Sequence, residues 1–109
     1  MSITLPDPIA RYFAATNLHD KEAMSAPFAA TAVVQDEARE RQGAAAIREW
    51  IEETVEKYRH TVSVLAVEET DGKVVVTGRV SGAFPGSPVD LRHAFTLAGG
   101  KISRLEIRA

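Results

Sequence analysis

The sequence predicts an α+β domain in which helices pack on one face of a mainly antiparallel sheet. Two observations predict this class. Residues 47–58 repeat apolar side chains at helical spacing, and almost everything after His60 alternates as strands do, with short turns between. Because the predicted helices come first and the strands last, separate helix and sheet layers are favoured over βαβ units. We expect three helices in the N-terminal half and a curved sheet wrapped around them, forming a cone with one pocket.

Length and composition favour one ordinary globular domain covering residues 1–109. Apolar residues make up 45% of the chain and charged residues 26%, a balance that supports a core without disulfides. The chain has no cysteine, which excludes disulfides, thiolate metal sites and cysteine nucleophiles and favours a reducing compartment.

Several partner classes are not expected. The net charge is −2 and the arginines are scattered, so no nucleic acid is predicted as a partner. No apolar run approaches the ~18 residues of a membrane span, and Met1–Pro8 lacks the basic start and apolar run of a signal peptide. We therefore expect a cytoplasmic protein.

No pair of histidines has ligand spacing and no phosphate-binding loop occurs, so neither a metal nor a cofactor is expected.

The first two helices are predicted from their caps. Asp7 is a candidate cap for the first helix, and Pro8 suits the first helical position. Asp20 is a candidate cap for a second, shorter helix that runs through Met24 and is ended by Pro27.

The middle of the chain contains a strand, a connection and the clearest helix. Residues 30–36 read as a short strand that ends in a carboxylate, and the charged residues 37–42 as a solvated loop. The long helix presents one apolar face, formed by Ile47, Trp50, Ile51, Thr54, Val55 and Tyr58.

Four strands with strong turn signals complete the chain. Asp71-Gly72 and Gly99-Gly100 predict tight hairpins, and Pro85-Gly86 favours a type II turn in a longer connection. The predicted strands are residues 60–69, 73–81, 89–98 and 101–108.

The strand over residues 60–69 is apolar on both faces if it alternates regularly. Val62 and Val64 would then face one side, and Leu65 and Val67 the other. A sheet with one wet face should alternate more cleanly, so we expect something to cover the second face. A homodimer through that face is the simplest arrangement.

Three polar residues fall where a plain core would place apolar ones. His93 shares its strand face with Leu91 and Phe95, and Tyr12 lies on the apolar face of the first helix. Asp36 ends an apolar strand, where burial would raise its pKa and make it a usable base. Each also has a structural explanation: a hydrogen-bonded core histidine, a packed tyrosine and a solvated strand end. His19 and His60 are assigned no role.

We predict that Tyr12, Asp36 and His93 converge on one cavity. Unpartnered polar groups in a core are costly, so these three side chains should bond each other, water or a ligand. Burial should raise the pKa of Asp36 and lower that of His93 unless the two pair. The expected lining is Phe13, Trp50, Val76, Leu91 and Phe95.

Four stretches resemble the nuclear transport factor 2-like superfamily, in particular its ketosteroid isomerase and SnoaL-like polyketide cyclase branches. They are residues 11–15 (Arg-Tyr-Phe-Ala-Ala), 28–36, 43–50 (Gly-Ala-Ala-Ala-Ile-Arg-Glu-Trp) and 100–102. The resemblance covers nearly the whole chain. It implies that Tyr12 matches a tyrosine that donates to a substrate oxygen, and that Asp36 matches a proton-shuttling aspartate. A second donor, an aspartic acid in the isomerases, falls on or beside His93, where this chain departs from the pattern.

Two functional interpretations follow, and the first is favoured. The chain is a non-catalytic SnoaL-like module that binds a small apolar molecule or dimerises. Alternatively, it is a ketosteroid isomerase-like enzyme that moves a proton on a small apolar carbonyl compound. In that case Tyr12 and His93 polarise the oxygen and Asp36 is the base. An epoxide hydrolase-like function would need an arginine between two inward acids, and no strand here provides that set.

Overall fold

The structure, a computed structural model, describes residues 4–109. Residues 1–3 lie outside it, so the start of the Met1–Pro8 segment is not described. Three helices and six strands follow in chain order: α1 (Asp7–Leu18), α2 (Lys21–Ser25), β1 (Phe28–Asp36), β2 (Arg39–Gln42), α3 (Ala44–Tyr58), β3 (Thr61–Thr70), β4 (Lys73–Ser81), β5 (Val89–Ala98) and β6 (Lys101–Arg108).

All six strands form one sheet in the order β2-β1-β6-β5-β4-β3. Every pairing is antiparallel except that of β1 with β6, which brings the first strand beside the last. Helices α1 and α3 contact the sheet, and α2 bridges the two helices. The predicted α+β class, with a curved, mainly antiparallel sheet and three helices from the N-terminal half, is confirmed.

The predicted cap of α1 is wrong and that of α2 is confirmed. Helix α1 begins at Asp7 itself, after Pro6, and no side chain of residues 4–109 caps it. The Asp7 carboxylate instead lies 2.8 Å from Arg11 one turn later. In α2, the Asp20 carboxylate accepts a hydrogen bond of 3.1 Å from the backbone N–H of Ala23.

The charged stretch 37–42 is a hairpin rather than a loop, which corrects the sequence prediction. Residues Arg39–Gln42 form β2 and pair with the end of β1. The turn residues Glu37 and Ala38 both have positive φ, 52° and 60°. Neither is the glycine or asparagine that usually signals such a turn, and the largely exposed β2 has no apolar alternation to reveal it.

The other turns follow the predictions. Asp71 and Gly72 both have positive φ, as do Gly99 and Gly100. These values are typical of tight two-residue hairpins. In the longer connection, Gly86 has a φ of 84°, the conformation that the third residue of a type II turn requires.

A bulge in β3 removes the two-sided apolarity expected from regular alternation. Val64 pairs with Gly78 and Ala66 with Thr77, so Leu65 is an extra residue. The bulge returns Val67 to the face that carries Val62 and Val64. Leu65, which is 42% exposed, is the one large apolar side chain of β3 that does not lie on this face.

Several ion pairs lie on the outer face of the sheet. Arg79 pairs with Asp90 at 2.9 Å and Arg92 with Glu68 at 3.3 Å. Glu106 lies within 4 Å of three cations, which are Lys73, Arg104 and Arg108.

Within residues 4–109, no helix is both long enough and apolar enough to span a membrane.

Candidate functional site

A cavity of about 420 Å³ lies between helices α1 and α3 and the inner face of the sheet. Five residues predicted for the site line it together: Tyr12, Asp36, Trp50, Leu91 and His93. Its remaining lining is Glu37, Ala38, Thr54, Tyr58, His60, Val62, Val80, Phe84, Val89, Ile107, Arg108 and Ala109. The exposed surface of the wall is mainly apolar, although about half of the lining residues carry a polar side-chain group.

Three residues expected in the lining are not among the lining residues, which corrects the sequence prediction. Val76 and Phe95 are fully buried in the core, and Phe13 packs edge-on against both Tyr12 and His93 at 5.3 Å between ring centroids. Alternation identifies the face on which a residue lies but not its depth. Phe13, Val76 and Phe95 therefore support the cavity from behind.

Asp36 is held by the indole of Trp50. Trp50 Nε1 donates a hydrogen bond of 3.0 Å to Asp36 Oδ2, bringing the end of β1 against α3. Burial raises the pKa of Asp36, the Trp50 bond opposes the rise, and the neighbouring Glu37 carboxylate adds to it. The result is a positioned carboxylate that is a stronger base than an exposed aspartate.

Tyr12 presents a neutral hydroxyl in the same cavity. Its ring makes edge contacts with Phe28 and Phe95, at 5.6 and 5.9 Å between centroids. Burial raises the pKa of Tyr12 well above its ordinary value, and the charge of Asp36 raises it further. Tyr12 therefore stays protonated at neutral pH and can act as a hydrogen-bond donor.

His93 is a neutral imidazole whose hydrogen bond defines its tautomer. Its Nδ1 lies 3.3 Å from the carbonyl oxygen of Val76. Since a carbonyl can only accept, the bond places the proton on Nδ1 and leaves Nε2 as an acceptor. Burial lowers the pKa of His93 to about 4. Gly78 makes room for Val62, because a Cβ there would lie 2.6 Å from Val62 Cγ1, whereas its 3.4 Å distance from His93 Cε1 would be ordinary van der Waals contact.

Both predicted pKa directions are confirmed. The pKa of Asp36 is raised and that of His93 is lowered, each mainly by burial. The two side chains hydrogen-bond to Trp50 and to the Val76 backbone respectively, not to each other. Asp36 and His93 therefore line the same cavity without forming an ion pair.

Sequence reasoning missed several polar residues of the site. Tyr58 was placed on the apolar face of the long helix, yet its hydroxyl donates a 2.8 Å hydrogen bond to Glu37 in the β1–β2 turn. The Tyr58 ring packs edge-on against Phe84 at 5.8 Å. His60 also lines the cavity, and no local pattern marks a histidine that follows a helix as a pocket residue.

A smaller polar cleft of about 130 Å³ adjoins the cavity and shares Asp36, Trp50 and Tyr58 with it. Arg41 lies there, paired with Glu53 at 2.8 Å. The cleft connects the carboxylate of Asp36 with a charged part of the surface.

The curved sheet wrapped around three helices, enclosing a mainly apolar cavity with a half-buried carboxylate, is a nuclear transport factor 2-like fold. A model of the SnoaL-like domain family matches residues 9–105, and the chain belongs to this family.

Solved structures agree with that assignment. A proposed polyketide cyclase (protein SMa1630) from Sinorhizobium meliloti is 40% identical, with a TM-score of 0.91 and 95% of each chain covered. SalBIII, an epoxide hydrolase/cyclase-like enzyme in salinomycin pyran ring formation, is 26% identical with a TM-score of 0.80, covering 94% of this chain and 87% of its own.

A third structure, from Catenulispora acidiphila, has a ketosteroid isomerase-like fold and contains trimethylamine. It is 18% identical, with a TM-score of 0.83, covering 97% of this chain and 87% of its own, and it supports the fold alone. A search of curated proteins finds no match.

Proposed function

We propose that this chain is an enzyme that binds a small, mainly apolar carbonyl compound and moves a proton on it, as its resemblance to ketosteroid isomerases implies. The observation that carries the proposal is the Asp36 carboxylate. It lines an apolar cavity, is oriented by Trp50 and has a raised pKa. A positioned carboxylate of this kind is suited to removing a proton beside a carbonyl group.

Tyr12 supplies the donor that such a reaction needs. When Asp36 takes a proton from the carbon beside the carbonyl, the C–H electrons form the C=C bond of an enolate and negative charge develops on the oxygen. A neutral tyrosine hydroxyl can donate a hydrogen bond to that oxygen, and this bond is strongest when the charge is present. Return of the proton from Asp36 to a different carbon of a conjugated enolate completes an isomerisation, and delivery of a solvent-derived proton from Asp36 to the original carbon completes exchange.

His93 has a different role in this proposal from the donor role expected from the sequence. With Nδ1–H directed at Val76, the neutral ring has an acceptor at Nε2. We propose that it accepts from a hydroxyl or enol of the ligand, so that Tyr12 alone polarises the carbonyl oxygen.

The relatives support chemistry of this class. The Sinorhizobium meliloti protein is a proposed polyketide cyclase, and SalBIII takes part in forming a pyran ring. Both are described as acting in ring formation. Enolate formation is one route when a ring closes on carbon, whereas a pyran ring contains oxygen and can close through a C–O bond, so SalBIII supports ring formation but not the enolate step. The favoured interpretation from sequence, a non-catalytic module, is the alternative that the experiment below tests.

The test is exchange of the hydrogens beside the carbonyl of 4-phenylcyclohexanone in D₂O, followed by NMR. We expect the wild-type protein to accelerate exchange and Asp36→Asn to lower the rate at least ~100-fold, the usual contribution of a general base. The same variant should bind the ketone with little change in Kd, measured by the fluorescence of Trp50, the only tryptophan.

Glu40→Gln is the matched control. Glu40 is an exposed carboxylate in the same hairpin and does not line the cavity. This variant should exchange the ketone at the wild-type rate. Ketone binding without any acceleration by the wild-type protein would favour the non-catalytic module, and an active Asp36→Asn would remove Asp36 as the base.

We further propose that the chain forms a homodimer through the outer face of the sheet, and that it is cytoplasmic. The bulge at Leu65 leaves less apolar surface for the dimer than regular alternation had predicted. The remaining apolar contact would centre on Leu65 and the half-buried Ala94 within the ion-paired face, since Val75 is only 7% exposed.

A further inference from the structure

The end of β1 is attached to α3 at two points. Trp50 donates a 3.0 Å hydrogen bond to Asp36. Tyr58 donates a 2.8 Å hydrogen bond to Glu37, the next residue of the chain. Trp50 and Tyr58 are eight positions apart, which separates their backbones by roughly 12 Å along the helix. Two consecutive residues are therefore held from two distant points of one helix.

The hydroxyl of Tyr58 is a stable donor for this second attachment. The hydrogen bond to Glu37 is the main cause of the raised pKa of Tyr58, and burial adds to it, so the hydroxyl keeps its proton at neutral pH. The ring packs edge-on against Phe84 at 5.8 Å between centroids, and this contact helps to fix its direction. A phenylalanine in place of Tyr58 would keep that contact and lose only the hydrogen bond.

Glu37 acts on Asp36 in two ways. Burial is the main cause of the raised pKa of Asp36, and the bond from Trp50 is the largest opposing effect. The next two effects both come from Glu37, whose charge raises the pKa and whose backbone hydrogen bond lowers it. Among the other groups that interact with Asp36, Arg41 on β2 lowers the pKa and Tyr12 on α1 is neutral. The position of Glu37 therefore affects the basicity of Asp36.

The backbone of Glu37 is strained, so its position depends on contacts such as the bond from Tyr58. Glu37 has a φ of 52° and Ala38 a φ of 60°. Residues with a Cβ are disfavoured in this region, so other conformations of the turn compete with the observed one. Those conformations would move the carboxylate and the N–H of Glu37 relative to Asp36. The bond from Tyr58 favours the arrangement in which both lie beside it.

We propose that Tyr58 is a positioning residue of the acid–base site, which holds Glu37 and thereby fixes the end of β1 that carries Asp36. This inference rests on the proposed function, because Asp36 is the base in that reaction. Trp50 holds the carboxylate directly, whereas Tyr58 acts through the neighbouring residue. The bond lies where the cavity meets the polar cleft, since Glu37 and Tyr58 line both.

Removal of one hydroxyl tests the role of Tyr58. Tyr58→Phe keeps the ring against Phe84 and removes only the bond to Glu37. In the exchange assay with 4-phenylcyclohexanone, we expect the rate at saturating ketone to fall roughly fivefold, the typical effect of one hydrogen bond. The Kd of the ketone, measured by Trp50 fluorescence, should stay unchanged, because positioning of the base affects the reaction and not ground-state binding.

A double-mutant cycle tests whether Tyr58 acts through Glu37. Glu37→Ala removes the acceptor, so adding Tyr58→Phe should lower the rate no further. Glu37→Gln keeps an acceptor oxygen, and in that background Tyr58→Phe should still lower the rate. Glu40→Gln, at an exposed carboxylate of the same hairpin, is the control. It should leave both the rate and the effect of Tyr58→Phe unchanged.

The pH dependence of exchange is a readout that a purely structural role would not move. Glu37→Gln removes the charge that raises the pKa of Asp36. Asp36 should then stay ionised to lower pH, so the acid limb of the pH–rate profile should move to lower pH. NMR titration of the Asp36 carboxyl carbon without ligand should show a shift in the same direction.

The outcomes separate this inference from the proposed function. A wild-type rate in Tyr58→Phe, or an equal loss with and without Glu37→Ala, would overturn the role of Tyr58 and leave Asp36 as the base. A loss explained by weaker ketone binding would show direct contact with the ligand instead of positioning. An Asp36 titration that Glu37→Gln leaves unchanged would also contradict the inference. Failure of the wild-type protein to accelerate exchange would overturn the proposed function, and the positioning role with it.

Discussion

At the scale of single residues, the site depends on how burial changes ordinary side chains. Asp36, Tyr12 and His93 have shifted pKa values mainly because the cavity removes them from water. Desolvation disfavours the charged form of each group, so the acids become weaker acids and the histidine a weaker base. The same cavity thus holds a neutral donor, Tyr12, a neutral acceptor, His93, and a carboxylate whose basicity is increased, Asp36.

Trp50 is the group that most strongly opposes the rise in the pKa of Asp36, ahead of a backbone hydrogen bond at Glu37 and the charge of Arg41. Trp50→Phe removes the indole N–H that stabilises the carboxylate and should raise the pKa of Asp36 further. NMR titration of the carboxyl carbon measures the shift. Phe84→Leu, an apolar change elsewhere in the cavity, is the control and should leave the titration unchanged. An unchanged or lowered value in Trp50→Phe would contradict the assigned role of the bond.

His93 should make folding stability depend on pH. Its pKa is about 4 in the folded chain against 6.5 ordinarily, so between these values the unfolded chain binds more protons. The stability is present above about pH 6.5 and is lost as pH falls toward 4. From pH 7 to pH 5 the loss due to His93 should be about 2 kcal/mol.

Urea unfolding at pH 7 and pH 5 measures this loss, with His93→Gln as the comparison. His60 acts in the same direction and Asp36 in the opposite one, but both are present in wild type and variant. The difference between the two proteins therefore reports mainly His93, whose electrostatic interaction with His60 is the smallest contribution to its pKa. An equal loss in both would show that His93 titrates normally.

At the scale of elements, the β1–β2 hairpin is the feature that propensity alone would not favour. Glu37 and Ala38 both occupy the left-handed region, in which a residue with a Cβ is strained. The turn is retained although it lacks glycine, and it places Glu37 against Tyr58 beside the cavity. The strained turn therefore lies beside the candidate site, where strained backbone is often found in proteins.

Replacing alanine by glycine should have opposite effects on stability at Ala38, in this turn, and at Ala45, in α3. Ala38→Gly relieves the strained conformation and should stabilise the chain by about 0.5–1 kcal/mol. Ala45→Gly, at an exposed position in the first turn of α3, should destabilise it by up to about 1 kcal/mol. Urea midpoints of both variants test this. A destabilising Ala38→Gly would show that the turn is not strained.

At the scale of the whole molecule, the proposed homodimer makes predictions about assembly in solution. We predict a homodimer at micromolar concentration by sedimentation, with the sheet's outer face at the interface. Ala94→Glu places a charge at the centre of that face and should shift the chain towards monomer, because a buried unpaired charge is costly. Leu18→Glu, at a helix end where the side chain is 79% exposed, is the control and should not.

Monomer in the wild-type protein would contradict the dimer. A dimer that Leu18→Glu disrupts and Ala94→Glu does not would place the interface on the helices. The ion pairs of the outer face, such as Arg79 with Asp90, also predict that a sheet-mediated dimer responds to salt.

The sequence by itself determined the elements whose signals are local. The stripe from Ile47 to Tyr58 and the Asp71-Gly72 turn depend on residues a few positions apart, and both are found as predicted. Tyr12, Asp36 and His93 could be selected because each is polar on an apolar face or strand end. Where the local signal was weak, as in β2 or at the bulge in β3, the prediction failed.

The tertiary structure alone decided which of these side chains reach the cavity. Phe13, Val76 and Phe95 share faces with lining residues yet lie behind them, and His60 lines the wall without any local signal. The bond between Trp50 and Asp36 likewise joins a helix to a strand end. Depth, register and cavity volume arise from packing between distant segments, which the spacing of residues along one segment does not encode.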